Sequence, residues 1–172
     1  MNNAKFILPC VEYKQQYIEM VQEWINTGEE LVPWVLERDY SDFDALIKYL
    51  YDQSIGLVSD GWVANTTYWL VDKSVIVGVI NIRHSLNEKL LKTGGNIGYG
   101  IRPTMRNKGY GKLQLHLALE KCREIALSRV LITCDKTNPV SAGVIIANGG
   151  KLENEFTEED GNVVQRYWIE LE

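Results

Sequence analysis

Hydrophobic side chains recur at helical spacing in three long stretches of the chain. The first, Tyr13–Thr27, ends at Gly28, a residue type that favours the left-handed cap of a helix. The second follows the capping-box-like pair Ser41 and Asp44. The third and longest is predicted over Lys112–Ser128. Because the spacing of the aromatic residues matches one buried helix face, we expect them to lie in the core.

Shorter runs of β-branched and aromatic residues predict strands. Asp72-Lys73-Ser74 and the acidic turn at Asp160-Gly161 each join two such runs into a hairpin. A helical turn is predicted over Leu86–Leu91, ended by Gly94-Gly95, and a short helix over Val140–Ala147. The predicted strands are Lys5–Cys10, Thr66–Val71, Val75–Arg83, Ile97–Arg102, Val130–Cys134, Lys151–Phe156 and Val163–Leu171.

Composition indicates one ordinary soluble domain of class α/β (α+β) spanning residues 1–172. Hydrophobic residues make up 45% and charged residues 24% of the chain, and no repeat or linker is present. No apolar run reaches the ~18 residues of a membrane span, and no secretory signal pattern is seen. Cys10, Cys122 and Cys134 lack metal-ligand spacing. We therefore expect buried free thiols, no metal, and a cytoplasmic location.

Charge is distributed unevenly along the chain, whose formal net charge is −5. Between Lys89 and Leu119 there are six basic residues and no acidic one, whereas residues 1–60 hold eleven acids. This pattern argues against a broad basic surface for nucleic acid. It favours a local pocket for an anionic ligand beside acidic elements that attract a cation. Alternatively, the surface acids only confer solubility.

The loop Arg106–Gly111 carries the clearest chemical signal. Gly109 and Gly111 let the backbone turn tightly and bring its N–H groups close to a ligand. The helix predicted directly afterwards directs the positive end of its dipole at the same point. Arg106, Lys108 and Lys112 add positive charge. The loop is therefore predicted to hold a phosphate or pyrophosphate.

The order of the predicted elements resembles that of the GNAT superfamily of acyl-CoA-dependent N-acyltransferases. The loop resembles this family's pyrophosphate motif, Gln/Arg-x-x-Gly-x-Gly/Ala. Asn138 and Ser141, which open the helix after the next strand, match a second family feature, and Asn148-Gly149-Gly150 resembles the usual end of that helix. Arg83-His84 with Leu86-Asn87, and the final Arg166-Tyr167-Trp168, resemble a group of bacterial predicted acetyltransferases of undefined substrate.

The resemblance implies a GNAT fold, with a mixed, mostly antiparallel sheet of about seven strands, splayed centrally and flanked by about four helices. It implies transfer of an acetyl group from acetyl-CoA to a primary amine of a small molecule or peptide, by direct attack and without a metal. It also allows a homodimer through an edge strand near Val163–Leu171.

The resemblance also assigns residues to the acetyl-CoA site. Backbone groups of Tyr99, Gly100 and Ile101 would pair with the pantetheine arm. A free N–H near a bulge there would stabilise the oxyanion by about 3 kcal/mol. Asn138 and Ser141 would contact the cofactor from the other side of the splayed sheet. The pyrophosphate would be held by Arg106, Asn107, Lys108, Gly109, Tyr110, Gly111 and Lys112.

Residues for proton transfer depart from the common family pattern. The chain has no carboxylate between Gly94 and Ile101, where many relatives place a glutamate base, and apolar residues stand around Ile145 in place of a tyrosine acid. His84 is then the best candidate base, because its intrinsic pKa is near ~6.5; alternatively it only caps a strand.

Two further candidates face the same cleft in this reading. Asn96 would hold a water or the substrate, or else is an exposed residue at a strand edge. Asp135 would contribute a carboxylate, or else caps a turn or helix.

Two other functions remain open from the sequence. One is a non-catalytic acyl-CoA-binding or sensing domain, which the missing glutamate and tyrosine would permit. The other is a nucleotide-binding domain built on Gly98-x-Gly100. Its dinucleotide fingerprint requires glycine where this chain has Pro103, which argues against it.

Overall fold

The computed structural model describes residues 3–171 of the chain. This range contains seven strands and four α-helices. Short 3-10 turns lie at Val11–Tyr13, Trp34–Glu37 and Pro103–Met105, and a π turn at Leu90–Gly94. In chain order the elements are β1 (Lys5–Ile7), α1 (Lys14–Ile25), α2 (Phe43–Ser54), β2 (Asn65–Asp72), β3 (Val75–Arg83), β4 (Ile97–Ile101), α3 (Tyr110–Glu124), β5 (Arg129–Asp135), α4 (Pro139–Ala147), β6 (Lys151–Thr157) and β7 (Val163–Glu170).

The strands form two antiparallel sheets, and the predicted mostly antiparallel, centrally splayed architecture is confirmed. One sheet has the order β1-β2-β3-β4, and the other has the order β5-β7-β6. Both predicted hairpins are present as β2–β3 and β6–β7. β7 lies inside its sheet, so the predicted edge strand near Val163–Leu171 is wrong. The edge is β6, all of whose residues are exposed, and a homodimer through this sheet stays a prediction.

The two sheets meet at Asn96, just before β4. Its backbone N–H donates to the carbonyl of Leu131 in β5 over 2.6 Å, and its side-chain Oδ1 accepts from the N–H of Leu131 over 2.9 Å. On the other side, Asn96 Nδ2 donates to the carbonyl of Arg83 over 3.2 Å. A single 2% exposed side chain therefore joins β3 to β5, and beyond it no strand pairing links β4 to β5 among the described residues.

Each sheet surface is covered by helices through an apolar core. Trp69 of β2 is fully buried under α1 and α2, with its ring 5.2 Å from that of Tyr17 and 6.4 Å from that of Phe43. On the opposite surface, Leu115 of α3 packs with residues of β3, β5 and α4. Burying each such large side chain contributes about 1.5–3 kcal/mol. The aromatic residues Tyr17, Trp24 and Phe43 thus lie in the core, as the spacing indicates, whereas Tyr51 is exposed.

Some local predictions are corrected at helix ends. The cap of α2 is Asp42, whose carboxylate accepts from the N–H of Ala45 over 3.0 Å, and not the pair Ser41 and Asp44. The turn predicted over Leu86–Leu91 is displaced to Leu90–Gly94. By contrast, Asn138 caps α4 through the N–H of Ser141, as predicted.

Cys122 and Cys134 are buried and Cys10 is partly exposed, and all three thiols are free. None of the helices within residues 3–171 has the length and apolar character needed to cross a membrane.

Replacing Asn96 by alanine should destabilise the fold by about 2–4 kcal/mol, because it leaves the buried N–H of Leu131 and carbonyl of Arg83 without these partners. Urea unfolding monitored by circular dichroism measures this change. Asn26→Ala is the matched control, since Asn26 is exposed at the end of α1. Equal stability of the two variants would contradict the role of Asn96 in joining the sheets.

Candidate active site

A cavity of about 830 Å³ opens where the end of β4 meets the first turns of α3 and α4. One wall belongs to β4 and the loop before α3, the second to the first turns of α4, and the third to the segment after α1. Its lining residues are Trp24, Glu29, Glu30, Val32, Tyr99, Gly100, Ile101, Met105, Arg106, Asn107, Gly109, Tyr110, Gly111, Lys112, Asn138, Pro139, Val140, Ser141, Gly143 and Val144.

The loop before α3 presents a row of unbonded backbone donors to this cavity. Asn107 and Gly109 both have left-handed backbones, with φ of 60° and 82°. Helix α3 begins at Tyr110, so the N–H groups of its first turn have no acceptor within the helix. Within residues 3–171 no acceptor takes a hydrogen bond from the backbone N–H groups of residues 107–112. The alternating backbone and the helix dipole together form an anion-binding nest.

Side chains hold this loop in place from outside the cavity. The Tyr110 hydroxyl donates to Asp72 Oδ2 over 2.6 Å, which ties the loop to the β2–β3 hairpin. Lys108 Nζ donates to the carbonyl of Thr104 over 2.8 Å. Lys108 does not line the cavity, so of the predicted loop lysines only Lys112 brings its charge to it.

Two ion pairs connect the loop to α1 and the segment that follows it. Arg106 donates to both carboxylate oxygens of Glu29, over 2.9 and 2.6 Å, and lies over the ring of Trp24. Arg102 donates to Glu23 over 2.6 Å, and the same carboxylate accepts from the N–H of Thr104. The positive charge predicted for Arg106 is therefore balanced by Glu29.

The pKa values of these two carboxyl groups reflect their partners. Hydrogen bonds from Arg106 lower the pKa of Glu29. Burial by itself raises the pKa of Glu23, but the hydrogen bonds from Thr104 and Arg102 outweigh it and the net shift is downward. Both groups are thus held in their charged form, and the connection between the loop and α1 is an ionic one at neutral pH.

β4 presents backbone groups to the gap between the sheets. Arg83 N–H donates to the carbonyl of Asn96, and Arg102 N–H donates to that of Val77. This register makes Gly98 and Gly100 the residues that bond to β3, and it directs the N–H and C=O of Tyr99 away from β3. The β3–β4 register has no shift, so the predicted bulge is absent, but the predicted close approach is present. A Cβ at Gly100 would lie 2.2 Å from the carbonyl oxygen of Val32.

Across the gap, a pair of hydroxyl groups joins β4 to α4. Tyr99 Oη lies 3.0 Å from Ser141 Oγ, and Ser141 N–H donates to Asn138 Oδ1 over 3.0 Å. Burial raises the pKa of Tyr99 to about 12. The phenol therefore stays protonated at neutral pH and acts as a hydrogen-bond donor in the cavity wall.

His84 is not among the residues that line the cavity. Its Nε2 lies 2.8 Å from Thr66 Oγ1, and its backbone N–H donates to the carbonyl of Ala64. Burial lowers the pKa of His84, so the ring is neutral at pH 7. The register places His84 beyond the Asn96 end of β4, outside the lining of this cavity, and its assignment as the base stays a prediction.

Asn96 and Asp135 also lie outside the cavity lining. The Asn96 amide bonds across the sheets, to the carbonyl of Arg83 and the N–H of Leu131, and the residue is 2% exposed rather than exposed at an edge. Asp135 Oδ1 accepts from Asn162 Nδ2 over 2.8 Å in the β6–β7 turn. The structure thus brings together the predicted cofactor residues, except Lys108, and none of the predicted catalytic trio.

Nine of the cavity-lining residues named above are not among the predicted site residues. Five of them lie near predicted ones in the chain: Met105, Pro139, Val140, Gly143 and Val144. The other four are Trp24, Glu29, Glu30 and Val32. These four belong to α1 and the segment after it, whose acidic character is the only signal in the sequence. Glu30 is exposed and, among the residues described, forms no ion pair. Within the same residues, no cluster of three histidine, cysteine or acidic side chains is arranged to hold a metal ion.

Comparison with known sequences and structures identifies similar proteins. A family model described as an acetyltransferase (GNAT) domain matches residues 12–151. No protein of curated function matches the chain significantly.

Several solved structures share the fold at low sequence identity. MccE, a microcin self-immunity acetyltransferase solved with acetyl-CoA and AMP, is 16% identical with a TM-score of 0.71, covering 99% of this chain and 93% of its own. A Salmonella typhimurium acetyltransferase that modifies the N-terminal serine of a 50S ribosomal subunit protein is 13% identical with a TM-score of 0.73, covering 100% and 97%. The Vibrio cholerae spermidine/spermine N-acetyltransferase SpeG is 17% identical with a TM-score of 0.64, covering 98% and 95%.

Replacing Glu29 by glutamine should tighten the binding of inorganic pyrophosphate by about 3-fold or more, because Arg106 loses the charge that competes with the anion. Isothermal titration calorimetry measures this affinity. Glu30→Gln is the matched control: it removes the same charge from the same cavity and leaves the Arg106 ion pair intact. If both variants gained affinity equally, the effect would be one of net charge and not of the ion pair.

Proposed function

The chain belongs to the acetyltransferase (GNAT) domain family, and on this premise we propose that it transfers an acetyl group from acetyl-CoA to a primary amine. The observation that carries the proposal is the cavity itself. It combines an anion-binding nest at the start of α3 with an edge of β4 that pairs with no strand within residues 3–171. Similar folds have been solved with acetyl-CoA bound.

The donor matches the cavity group by group. The pyrophosphate is a dianion of the kind that the N–H groups of residues 107–112 bind. The pantetheine arm carries amides, which can pair with the free N–H and C=O of Tyr99 as an added strand does. Asn138 and Ser141 support the second side of the gap through the first turn of α4. We therefore retain these predicted cofactor residues, with Lys108 acting only through its backbone.

The reaction follows from the chemistry of a thioester and an amine. The amine nitrogen attacks the carbonyl carbon, a C–N bond forms, and a tetrahedral oxyanion results. The C–S bond then breaks, the amine loses a proton, and CoA leaves as a thiolate that is protonated to the thiol. A backbone N–H at the open edge of β4 would stabilise the oxyanion, a contribution of about 3 kcal/mol.

The Tyr99–Ser141 pair supports the departure of the thiolate. A hydroxyl with a pKa of about 12 is too weak an acid to hand its proton fully to a thiolate, whose conjugate acid has a pKa near ~8.5. It is instead suited to donate a hydrogen bond that stabilises the sulfur as its charge develops.

The acceptor amine meets an acidic part of the cavity. An alkyl amine has a pKa near ~10.4 and arrives mostly as a cation. Glu30, at the cavity wall and without an ion-pair partner among the described residues, attracts this cation and can take up its proton through water. In this proposal Glu30 takes the role of base for which His84 is the candidate from the sequence.

Valine at Gly109 or Gly111 should weaken CoA binding by about 10-fold or more while leaving a folded protein. At Gly109 the left-handed backbone disfavours a β-branched residue, and at Gly111 a new Cβ would lie 3.3 Å from Val144 Cγ2. Calorimetric titration with CoA tests this. Gly56→Val is the control, because Gly56 has a φ of 85° and open space around it far from the cavity. Unchanged affinity in both loop variants would remove the loop from the donor site.

Incubation with acetyl-CoA should release free thiol faster when a suitable primary amine is present. Tyr99→Phe should lower this turnover by about 10-fold with near-normal CoA affinity, because it removes one hydrogen bond to the leaving sulfur. A thiol-reactive dye follows the rate across a panel of amines. CoA binding without amine-stimulated thiol release from any member would favour instead the non-catalytic acyl-CoA-binding domain.

A further inference from the structure

The Arg83-His84-x-Leu86-Asn87 motif takes no part in the donor site. We propose that its arginine, Arg83, binds a carboxylate on the acceptor, so that the acceptor is an amine that also carries an anionic group. This inference rests on the proposed function and adds the class of acceptor. It depends on the charge, hydrogen bonding and position of one guanidinium group.

Arg83 is a largely buried cation without a counter-ion. Within residues 3–171 it forms no ion pair, whereas Arg102, Arg106 and Arg166 each contact a glutamate. Burial lowers the pKa of Arg83 to about 10, and no neighbouring carboxylate offsets this shift. A buried charge that lacks a partner is costly to the fold, and an anion that reaches it recovers that cost.

The hydrogen bonds of Arg83 use only one arm of the guanidinium. Nη1 donates to the carbonyl oxygens of Gly94 and Gly95 over 2.8 and 3.1 Å. These bonds fix the orientation of the plane, while Nε and Nη2 donate to no residue within 3–171. An arginine held by one nitrogen and open at two others is arranged for bidentate contact with a planar carboxylate.

The open side of the guanidinium faces β4. The point where a Cβ of Gly98 would lie is 3.7 Å from Nη2 and 3.4 Å from Pro33 Cβ. The absence of a side chain at Gly98 therefore lets both Arg83 and Pro33 lie close to the backbone of β4. Asn87 of the same motif donates to the carbonyl of Gly61 and accepts from the N–H of Leu90.

The guanidinium of Arg83 lies in line with the donor cavity along β4. Gly98 and Gly100 are two residues apart on the same face of β4, a separation of about 7 Å, and Gly100 lines the cavity. The segment Val32-Pro33 runs along the same stretch, against both glycines. An acceptor whose amine reaches the Tyr99 edge would place a carboxylate at Arg83 if about five to six bonds separate the two groups.

The test compares acceptors that differ only in the carboxylate. Turnover by thiol release is measured for ω-amino acids of increasing chain length, each against the alkylamine of equal length, for example 6-aminohexanoate against hexylamine. In the wild-type protein we expect kcat/KM to favour the carboxylate member by about 10- to 100-fold at an optimal length. Arg83→Gln should bring the ratio close to one and leave hexylamine turnover within a few-fold. Arg129→Gln, which removes an exposed arginine elsewhere, should keep the wild-type ratio.

The ratio separates recognition from a structural role. If Arg83 only clamps Gly94 and Gly95, its loss lowers turnover of both members equally and the ratio stays. Arg83→Lys covers the case in which the glutamine variant does not fold, because it keeps the charge and loses the planar fork, and its ratio should fall part of the way. No carboxylate preference in the wild-type protein at any length, or an unchanged ratio in the variants, would overturn the proposal.

A binding measurement keeps this test independent of turnover. Calorimetry with 6-aminohexanoate and hexylamine is run on the wild type and on the Arg83 variants, with and without CoA. If no amine is acetylated, the proposed function fails. Carboxylate-dependent binding that disappears in Arg83→Gln would then still support the anion site, and equal binding of both compounds would reject it.

Discussion

The site depends on how the facing backbone groups of β4 and β5 find hydrogen-bond partners. A buried strand edge must find partners for its N–H and C=O groups, and here the side chain of Asn96 supplies them at one end only. Past that point no strand pairing joins the two sheets in the part of the chain that the structure describes, and the polar backbone groups of Tyr99 face the gap. The same residue thus holds the sheets together and, by ending the contact there, leaves an opening that an extended amide-bearing ligand can complete.

Positive and negative charges are balanced around the start of α3. The helix dipole, the loop N–H groups and two arginines produce a positive potential at the start of α3. Clustered positive charge of this kind is unfavourable unless negative charge lies nearby. Glu23 and Glu29 neutralise it from α1 and the following segment. The acidic first part of the chain is therefore no mere solubilising surface, since two of its carboxylates act as counter-ions for the donor site.

How much of this could be predicted depends on how far apart the interacting residues lie in the chain. The anion loop and the cap of α4 were predictable because their determinants fall within a few residues: Gly109 and Gly111 before a helix, and Asn138 three residues before Ser141. The partner of Arg106 is 77 residues away, and no local pattern reveals it. For Asn96 the sequence leaves both roles open, because a polar side chain beside a glycine-rich strand fits a site residue and a structural residue equally. Its hydrogen bond from the N–H of Leu131, 35 residues later in the chain, shows that its role is structural. The prediction for His84 rests on its intrinsic pKa. That property carries no information on where the strand before it ends in the folded chain.

The ion pair between Arg106 and Glu29 has a consequence for the order of events. Glu29 begins the segment that reaches Val32-Pro33, and that segment lies against Gly98 and Gly100. One guanidinium therefore serves both as a candidate contact for the donor and as the anchor of the strip that covers β4. An anion that draws Arg106 away loosens the strip. By thermodynamic linkage, whatever displaces the strip also frees Arg106 for the anion. In the proposed reaction, the pyrophosphate of the donor and the strip over β4 would therefore compete for a single charge, and the donor would bind first.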